Sequence, residues 1–244
     1  MIRELFERPK APVWPKPRVT LLEHEKEALE RWYQLWMPSF HKNFGLVHRF
    51  NHHFVAKLPL PGGRNGRVNT LEIGGGSGDH MRVEDLSQQD YHSLELRKEF
   101  VAMMNASLGE GRCLLGDIQA GAPWPDGHFD RVIAIHVLEH LHDLPAALKE
   151  VERLLRPGGV FDVVLPCEGG ALYRVAREFS SKRLFEKHFD VSYDKIIKSD
   201  HVNTYADVEY ELERAFDAQE KHFFPFRAPS VHANICVGLR LLKR

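Results

Sequence analysis

The sequence predicts an α/β protein built on a doubly wound, largely parallel sheet. Two observations carry that expectation. From Arg67 onward short β-rich runs (VNTLEI, YHSLEL, CLLGD, RVIAI and GVFDVVLP) alternate with helical stretches, and parallel strands need such crossovers. A glycine-rich turn, LEIGGGSGDH over 71–80, leaves the first of these runs. Glycine lets a backbone turn tightly there and approach a ligand with no Cβ in the way.

Composition bounds the rest. With 244 residues, 43% hydrophobic and 27% charged, the chain has room for one core and an appendage. Thirty-three basic side chains stand against 34 acidic ones, a net charge of -1, so no bulk positive field exists to hold a nucleic acid. Cys113, Cys167 and Cys236 are odd in number and widely spaced, which argues for a reducing compartment rather than a disulfide framework. No segment approaches the roughly 20 apolar residues that span a bilayer. The expectation is a soluble, unprocessed, cytoplasmic protein without a membrane partner, as monomer or homodimer.

The elements follow in order. Prolines 9, 12, 15 and 17 predict an extended arm that docks on another surface. Thr20 and Glu23 have capping-box spacing, and Leu22, Leu29, Trp32 and Trp36 recur at helical intervals until Pro38, which is expected to close the helix. Leu46, Val47, Phe50, Phe54 and Val55 suggest a second helix, and PLPGGRNGR (59–67) reads as a linker. Residues 1–66 are therefore taken as an arm with a helical preface, and 67–244 as the main domain. A helix is expected to open directly after the glycine turn, its free N–H groups facing the ligand. Asp143 and Pro145 start another, with Leu144, Leu148, Val151 and Leu155 as its apolar stripe before Arg156-Pro157-Gly158-Gly159. After a mixed, slightly basic stretch over 167–205, ADVEYELERAF reads as helix, and KHFFPF and NICVGLRLL as strands.

The turn over 71–80 narrows the chemistry. A nicotinamide-binding loop wants a third glycine where Asp79 stands. Glu72 followed by Gly74, Gly75, Gly76 and Gly78 instead resembles the first motif of the class I S-adenosylmethionine-dependent methyltransferases. Pro123 to Pro166, with its Pro-Asp-Gly-His-Phe-Asp turn, Val137-Leu138-Glu139-His140 and Arg156-Pro157-Gly158-Gly159, is similar to the small-molecule branch often called type 11. The resemblance covers about residues 67 to 166. It implies a Rossmann-like seven-stranded sheet, mostly parallel with an antiparallel last strand; the helical preface adds an N-terminal extension, and 167–205, after the fifth strand, has the character of a lid. It implies S-adenosyl-L-methionine as donor, S-adenosyl-L-homocysteine as product, and a small-molecule acceptor at an O or N atom. Glu95, ending YHSLEL, would grip the adenosine ribose with Leu96 beside it. Asp117 would meet the adenine amino group with Ile118 packing nearby, and His136 would line the donor side.

A sulfonium methyl is already activated, so such a protein chiefly aligns its reactants and excludes water, with a base only where the acceptor must lose a proton. Histidine titrates near neutrality, and among His136, His140, His142 and His201 the expected catalytic pair is His140 and His201. His136-x-x-Glu139-His140 also spells an inverted zinc-protease pattern, which needs both histidines on one helical face. Here it follows a strand and precedes a helix start, so a loop is expected and no metal is assigned. His41, His48, His52 and His53 read as a polar helix face. Arg174, Arg177, Lys182, Arg183 and Lys187 read as a solvated face of the lid, and Cys167 as a small packing residue. A donor-binding module without catalysis and a nicotinamide oxidoreductase are the rival functions.

Overall fold

The computed structural model describes residues 11–63 and 66–244, without the side chains of 37–43. Seven strands form one sheet: β1 (Val68–Ile73), β2 (Gln89–Glu95), β3 (Cys113–Leu115), β4 (Phe129–Ile135), β5 (Leu155–Pro166), β6 (Phe216–Phe224) and β7 (Cys236–Lys243). Their order is β3-β2-β1-β4-β5-β7-β6. The first five are parallel to one another, and β7 runs antiparallel between β5 and β6. The chain leaves β1 towards β2 on one side and later returns to β4 on the other. Such a switch point opens a crevice at the carboxyl ends of the strands.

The strands read as near-continuous apolar runs because both sheet faces are covered: Val132, Ile133, Ala134, Phe161, Val163 and Val164 are fully buried. Helix α3 (Lys98–Leu108) connects β2 to β3, and α4 (Leu144–Leu154) connects β4 to β5. Asp143 caps α4 by accepting the Ala146 N–H at 3.1 Å. Its buried stripe is Leu144, Ala147, Leu148, Val151 and Leu154. Leu155, expected within this helix, instead begins β5, because Leu154 completes the i, i+3, i+7 face and the chain there turns extended.

The helix expected between β1 and β2 does not form. Residues 74–88 pass through turns and two short 3₁₀ pieces, Met81–Val83 and Leu86–Gln88. Gly74, Gly76 and Gly78 all have positive φ, which breaks a right-handed helix at its start. His80 and Glu84 are then drawn inward as a pair 2.9 Å apart.

The amino-terminal residues lie along this sheet. The arm docks on the domain: Lys16 N–H donates to the His142 carbonyl at 2.7 Å, His142 Nδ1 meets the Lys16 carbonyl at 3.1 Å, and Trp14 Nε1 donates to Glu211 at 2.9 Å. Pro9 falls outside the described residues. Helix α1 (Glu23–Asn43) starts where Glu25 accepts the Leu22 N–H at 2.7 Å, so the reciprocal cap is Leu22/Glu25 rather than Thr20/Glu23. It runs on through Pro38, which removes one hydrogen bond but leaves later residues free to stay helical. The buried Trp32 face, against Phe185 and Tyr193, holds it.

Helix α2 (Gly45–Ala56) crosses the sheet close to β7, where Phe54 occupies the space a Cβ on Gly238 would need. A buried ionic lattice fastens its end. Arg131 on β4 donates to Asp162 on β5 at 2.7 Å, to Glu84 at 3.0 Å and to the Val55 carbonyl at 2.8 Å. Arg240 on β7 donates to Asp162 at 2.7 Å and to the Pro59 carbonyl at 2.6 Å. Two carboxylates thus answer two guanidiniums with their hydrogen bonds largely satisfied, the condition under which buried charges are tolerated.

After β5 come α5 (Ala171–Arg177), a π-turn over Glu178–Lys182, α6 (Arg183–His188) and α7 (Tyr193–Asp200). Then α8 (Tyr205–Ala215) opens with a Thr204/Asp207 capping box. Cys113, Cys167 and Cys236 are buried free thiols. Among the described residues no helix is long and apolar enough to cross a membrane.

Candidate active site

The glycine loop sits at the switch point. Gly74 has φ 70°, and a Cβ there would stand 2.6 Å from Val137 Cγ2. The turn therefore excludes any side chain at that position and brings the backbone against the β4 loop. Gly76 N–H donates to Glu95 Oε2 at 3.0 Å, and Glu95 Oε1 accepts the N–H groups of Leu96 and Arg97 at 2.7 and 3.0 Å. Three of about four lone-pair positions on that carboxylate are used, which leaves capacity for a further donor. Glu72 is buried beneath the loop and accepts from Tyr91 Oη at 3.0 Å. Burial raises its pKa, against the nearby His80.

Asp117 caps the short turn Ile118–Ala120 by accepting the Gln119 N–H at 2.9 Å, and Ile118 is buried. The positions expected around an adenosyl group do not all share one wall. A cavity of about 380 Å³ is bounded by Glu72, Gly74, Gly75, Gly76 and His136, whereas Glu95, Leu96, Asp117 and Ile118 lie outside its lining, on the tips of β2 and β3. Leu96 is exposed.

The same cavity is walled by the histidines. His136 leaves β4 with φ 54°, a strained value for a residue with a Cβ, and its Nδ1 meets Glu139 Oε1 at 3.1 Å. A single 3₁₀ turn, Leu138–His140, follows. With no helix, the zinc-protease arrangement has no shared face for its two histidines. His140 Nδ1 lies 3.2 Å from Asp200 Oδ1 and 2.9 Å from the Asp200 carbonyl oxygen. His201 Nδ1 lies 3.1 Å from Glu168 Oε2, and the His140 and His201 rings are 4.8 Å apart at 83°. The two histidines chosen from distant stretches of sequence are neighbours.

Burial opposes charge on His140, but the Asp200 carboxylate outweighs it and raises the imidazole pKa to about 9. Burial likewise works to raise Asp200, yet His140, His201 and the Tyr33 hydroxyl, donating at 2.5 Å, hold it well below the usual carboxylate range. Glu139 and Glu168 are also lowered against burial, the first by His136 and His140, the second by His201 and Arg177.

Sequence reading missed Asp200, Tyr33 and Glu168 as parts of this group. No spacing signal links them, because they come from α7, α1 and the loop after β5. It also missed the bracing role of Asn203, whose Nδ2 donates to the Leu138 and Leu141 carbonyls at 2.8 and 2.7 Å. The preface supplies a wall: Trp32 and Trp36, stacked with centroids 5.1 Å apart, line the cavity together with Tyr33, His48, Asn51 and His52. His53 does not line it, and the His41 side chain lies outside the described residues. Tyr173, Arg177 and Tyr193 close it from the 167–205 side. The cations of that segment are partly paired within it, Arg177 with Glu168 at 2.7 Å and Lys182 with Glu178 and Asp194. Cys167 is buried, which raises its thiol pKa to about 12.

Residues 71–163 match the family model described as a methyltransferase domain, Methyltransf_11. Over that stretch the chain is similar to the class I S-adenosylmethionine-dependent methyltransferases. Among curated relatives, the ubiquinone/menaquinone biosynthesis C-methyltransferases UbiE of Shewanella sp. strain ANA-3 and of Shewanella frigidimarina are each 34% identical, over 131 and 133 residues, covering 48% of this chain and 48% of theirs. The chain thus spans about half the length of the curated relatives it matches. Solved structures share the fold. The PH0226 protein of Pyrococcus horikoshii superposes with a TM-score of 0.57 at 16% identity, covering 82% of this chain and 91% of that one. The [4+2]-cyclase SpnF gives 0.56 at 17%, with 80% of each chain covered. A possible histamine N-methyltransferase of Thermotoga maritima gives 0.54 at 21%, covering 89% of this chain and 99% of that one.

The residues fit the methyl donor of this domain class. The loop is bare of side chains where a ligand backbone would pass, Glu95 has acceptor capacity left beside it, and a cavity opens from the loop.

Proposed function

We propose that the chain is an S-adenosylmethionine-dependent methyltransferase acting on an O or N atom of a small molecule, such as a sugar, a lipid-linked intermediate or a secondary metabolite. One observation carries this reading: the glycine loop and the His140, Asp200 and His201 group share the wall of one cavity. Donor and acceptor functions are thereby brought within reach of each other.

The bound donor supplies a methyl on a sulfonium, already a good leaving group. The chain does the rest. Glu72 and Gly74 to Gly78 shape the cradle for the amino-acid end. Glu95, with Leu96 alongside, holds the ribose, and Asp117 and Ile118 take the base. His136 lines the donor side. Helices α1 and α2 and the 167–205 segment, acting as a lid, exclude water and orient the acceptor. His140 and His201 face the acceptor: His140, kept protonated by Asp200, donates a hydrogen bond that positions it, and His201 receives its proton.

The test is calorimetry followed by turnover. S-adenosylmethionine should bind with one-to-one stoichiometry while NAD gives no heat. Release of S-adenosylhomocysteine should then appear with some member of a panel of hydroxyl and amine acceptors. Transfer to a quinol carbon alone would overturn the O or N assignment, and donor binding with silence across the panel would favour a binding module. The SpnF likeness shows that this fold also carries other chemistry.

A further inference from the structure

We propose that His140, Asp200 and His201 bind a divalent transition-metal ion in the cavity wall, with open coordination positions facing the acceptor. The inference rests on the geometry of this group and not on the methyl-transfer reading; with the ion bound, both imidazoles act as ligands and the ion, in place of a histidine, meets the acceptor.

Each of the three residues offers one donor atom, and these atoms lie within 4.8 Å of one another. His140 Nδ1 is engaged by the Asp200 carbonyl at 2.9 Å, which leaves Nε2, 3.9 Å from Glu139 Oε1, as its ligating nitrogen, and His201 Nε2 lies 3.8 Å from Asp200 Oδ2. Metal–ligand bonds of about 2.0–2.2 Å can span such gaps between adjacent ligands. His201 has the orientation of a ligating histidine: Nδ1 is held by the Glu168 carboxylate at 3.1 Å, which turns Nε2 towards Asp200.

A second observation points the same way. Glu139, 2% exposed and lining the cavity, has a buried Oε2 without a hydrogen-bond partner. Three carboxylates, Glu139, Glu168 and Asp200, meet here. Among the described residues the lysine or arginine in ion-pair contact with them is Arg177, on Glu168. A bound dication would set two further positive charges beside these carboxylates. Two imidazoles and one carboxylate favour zinc, manganese or iron(II) over magnesium or calcium, which prefer oxygen-only sets. The free positions would take an acceptor oxygen, which selects hydroxyl- or carboxylate-bearing acceptors.

Full-length protein freed of metal with a chelator is titrated with Zn²⁺ by calorimetry and with Co²⁺ by visible absorption. One equivalent should bind, with d–d bands reporting nitrogen ligation. His201→Gln and Asp200→Asn should each weaken binding at least tenfold with unchanged circular dichroism, and Glu168→Gln by about 10- to 100-fold. The exposed His222→Ala should bind as wild type. No stoichiometric binding, or binding unaffected by both His201→Gln and Asp200→Asn, overturns the site. So does binding that is lost in His52→Ala but kept in those two. Donor binding measured on the same samples separates this outcome from failure of the methyltransferase reading.

Discussion

Glu95 Oε2 accepts the Gly76 N–H at 3.0 Å, so the carboxylate that ends β2 also holds the glycine loop in place. Removing it should act on the donor twice, through lost contact and through a loosened loop. Glu95→Ala is expected to weaken S-adenosylmethionine binding by on the order of ten- to a hundredfold, since a hydrogen bond to a charged group contributes about 1.5–3 kcal/mol. Calorimetry checks this, and equal affinity in the variant would remove Glu95 from the ribose.

At Gly74 two constraints coincide, a φ of 70° and a Cβ position 2.6 Å from Val137 Cγ2. Gly74→Ala should cost about 1–3 kcal/mol from backbone strain, with the clash in addition. Urea unfolding should show the loss of stability and calorimetry a loss of donor binding. An unaltered midpoint would mean that the loop relaxes freely.

Asn203 braces the turn that carries His140 through three hydrogen bonds, two from its side chain and one from its backbone N–H to the Glu139 carbonyl. Asn203→Ala loses the two side-chain bonds to buried carbonyls, an expected cost of about 1–3 kcal/mol. Turnover should fall while donor affinity stays near that of the wild type, because the glycine loop is untouched. Parallel losses of both would place Asn203 in the general scaffold.

The ionic lattice under α2 predicts an acid limb in stability. Burial works to raise the Glu84 pKa, but the His80 hydrogen bond and the Arg131 charge bring it down to about 2 from an ordinary 4.5. A lowered folded-state pKa means that the contribution is whole above the unfolded value near 4.5. It shrinks as pH falls and is gone once pH passes about 2. Thermal midpoints of wild type and Glu84→Gln, followed from pH 6 to pH 2, should therefore converge over that window. A gap that stays constant would show that Glu84 does not titrate with folding.

What could be read from the chain alone was whatever repeats at short range. Strands β1 to β5, the Asp143 cap of α4 and the glycine turn each announce themselves within about ten residues, because propensity, capping and steric freedom are local properties. The family-like stretch from Pro123 to Pro166 extended that reading to the donor side. The same local logic failed between β1 and β2. There the positive φ angles of three glycines and the inward pull on His80 and Glu84 removed an expected helix. It also misjudged Pro38, since the burial of Trp32 is a contact with residues 150 positions away.

The histidine side of the cavity belongs to tertiary structure. Tyr33, Glu139, His140, Glu168, Asp200 and His201 come from α1, two loops and the end of α7, and become one group because the sheet order places those ends around a single cavity. The Arg131, Asp162 and Arg240 lattice is equally silent in sequence. Each charged residue there looks out of place on its strand until register sets Asp162 opposite Arg240 and the Val55 and Pro59 carbonyls accept from the two guanidiniums. Sequence determined the parallel strands and the glycine turn, since backbone freedom and strand periodicity are written residue by residue. Folding decided what faces it, since charge pairing and cavity shape arise between segments that the chain holds far apart.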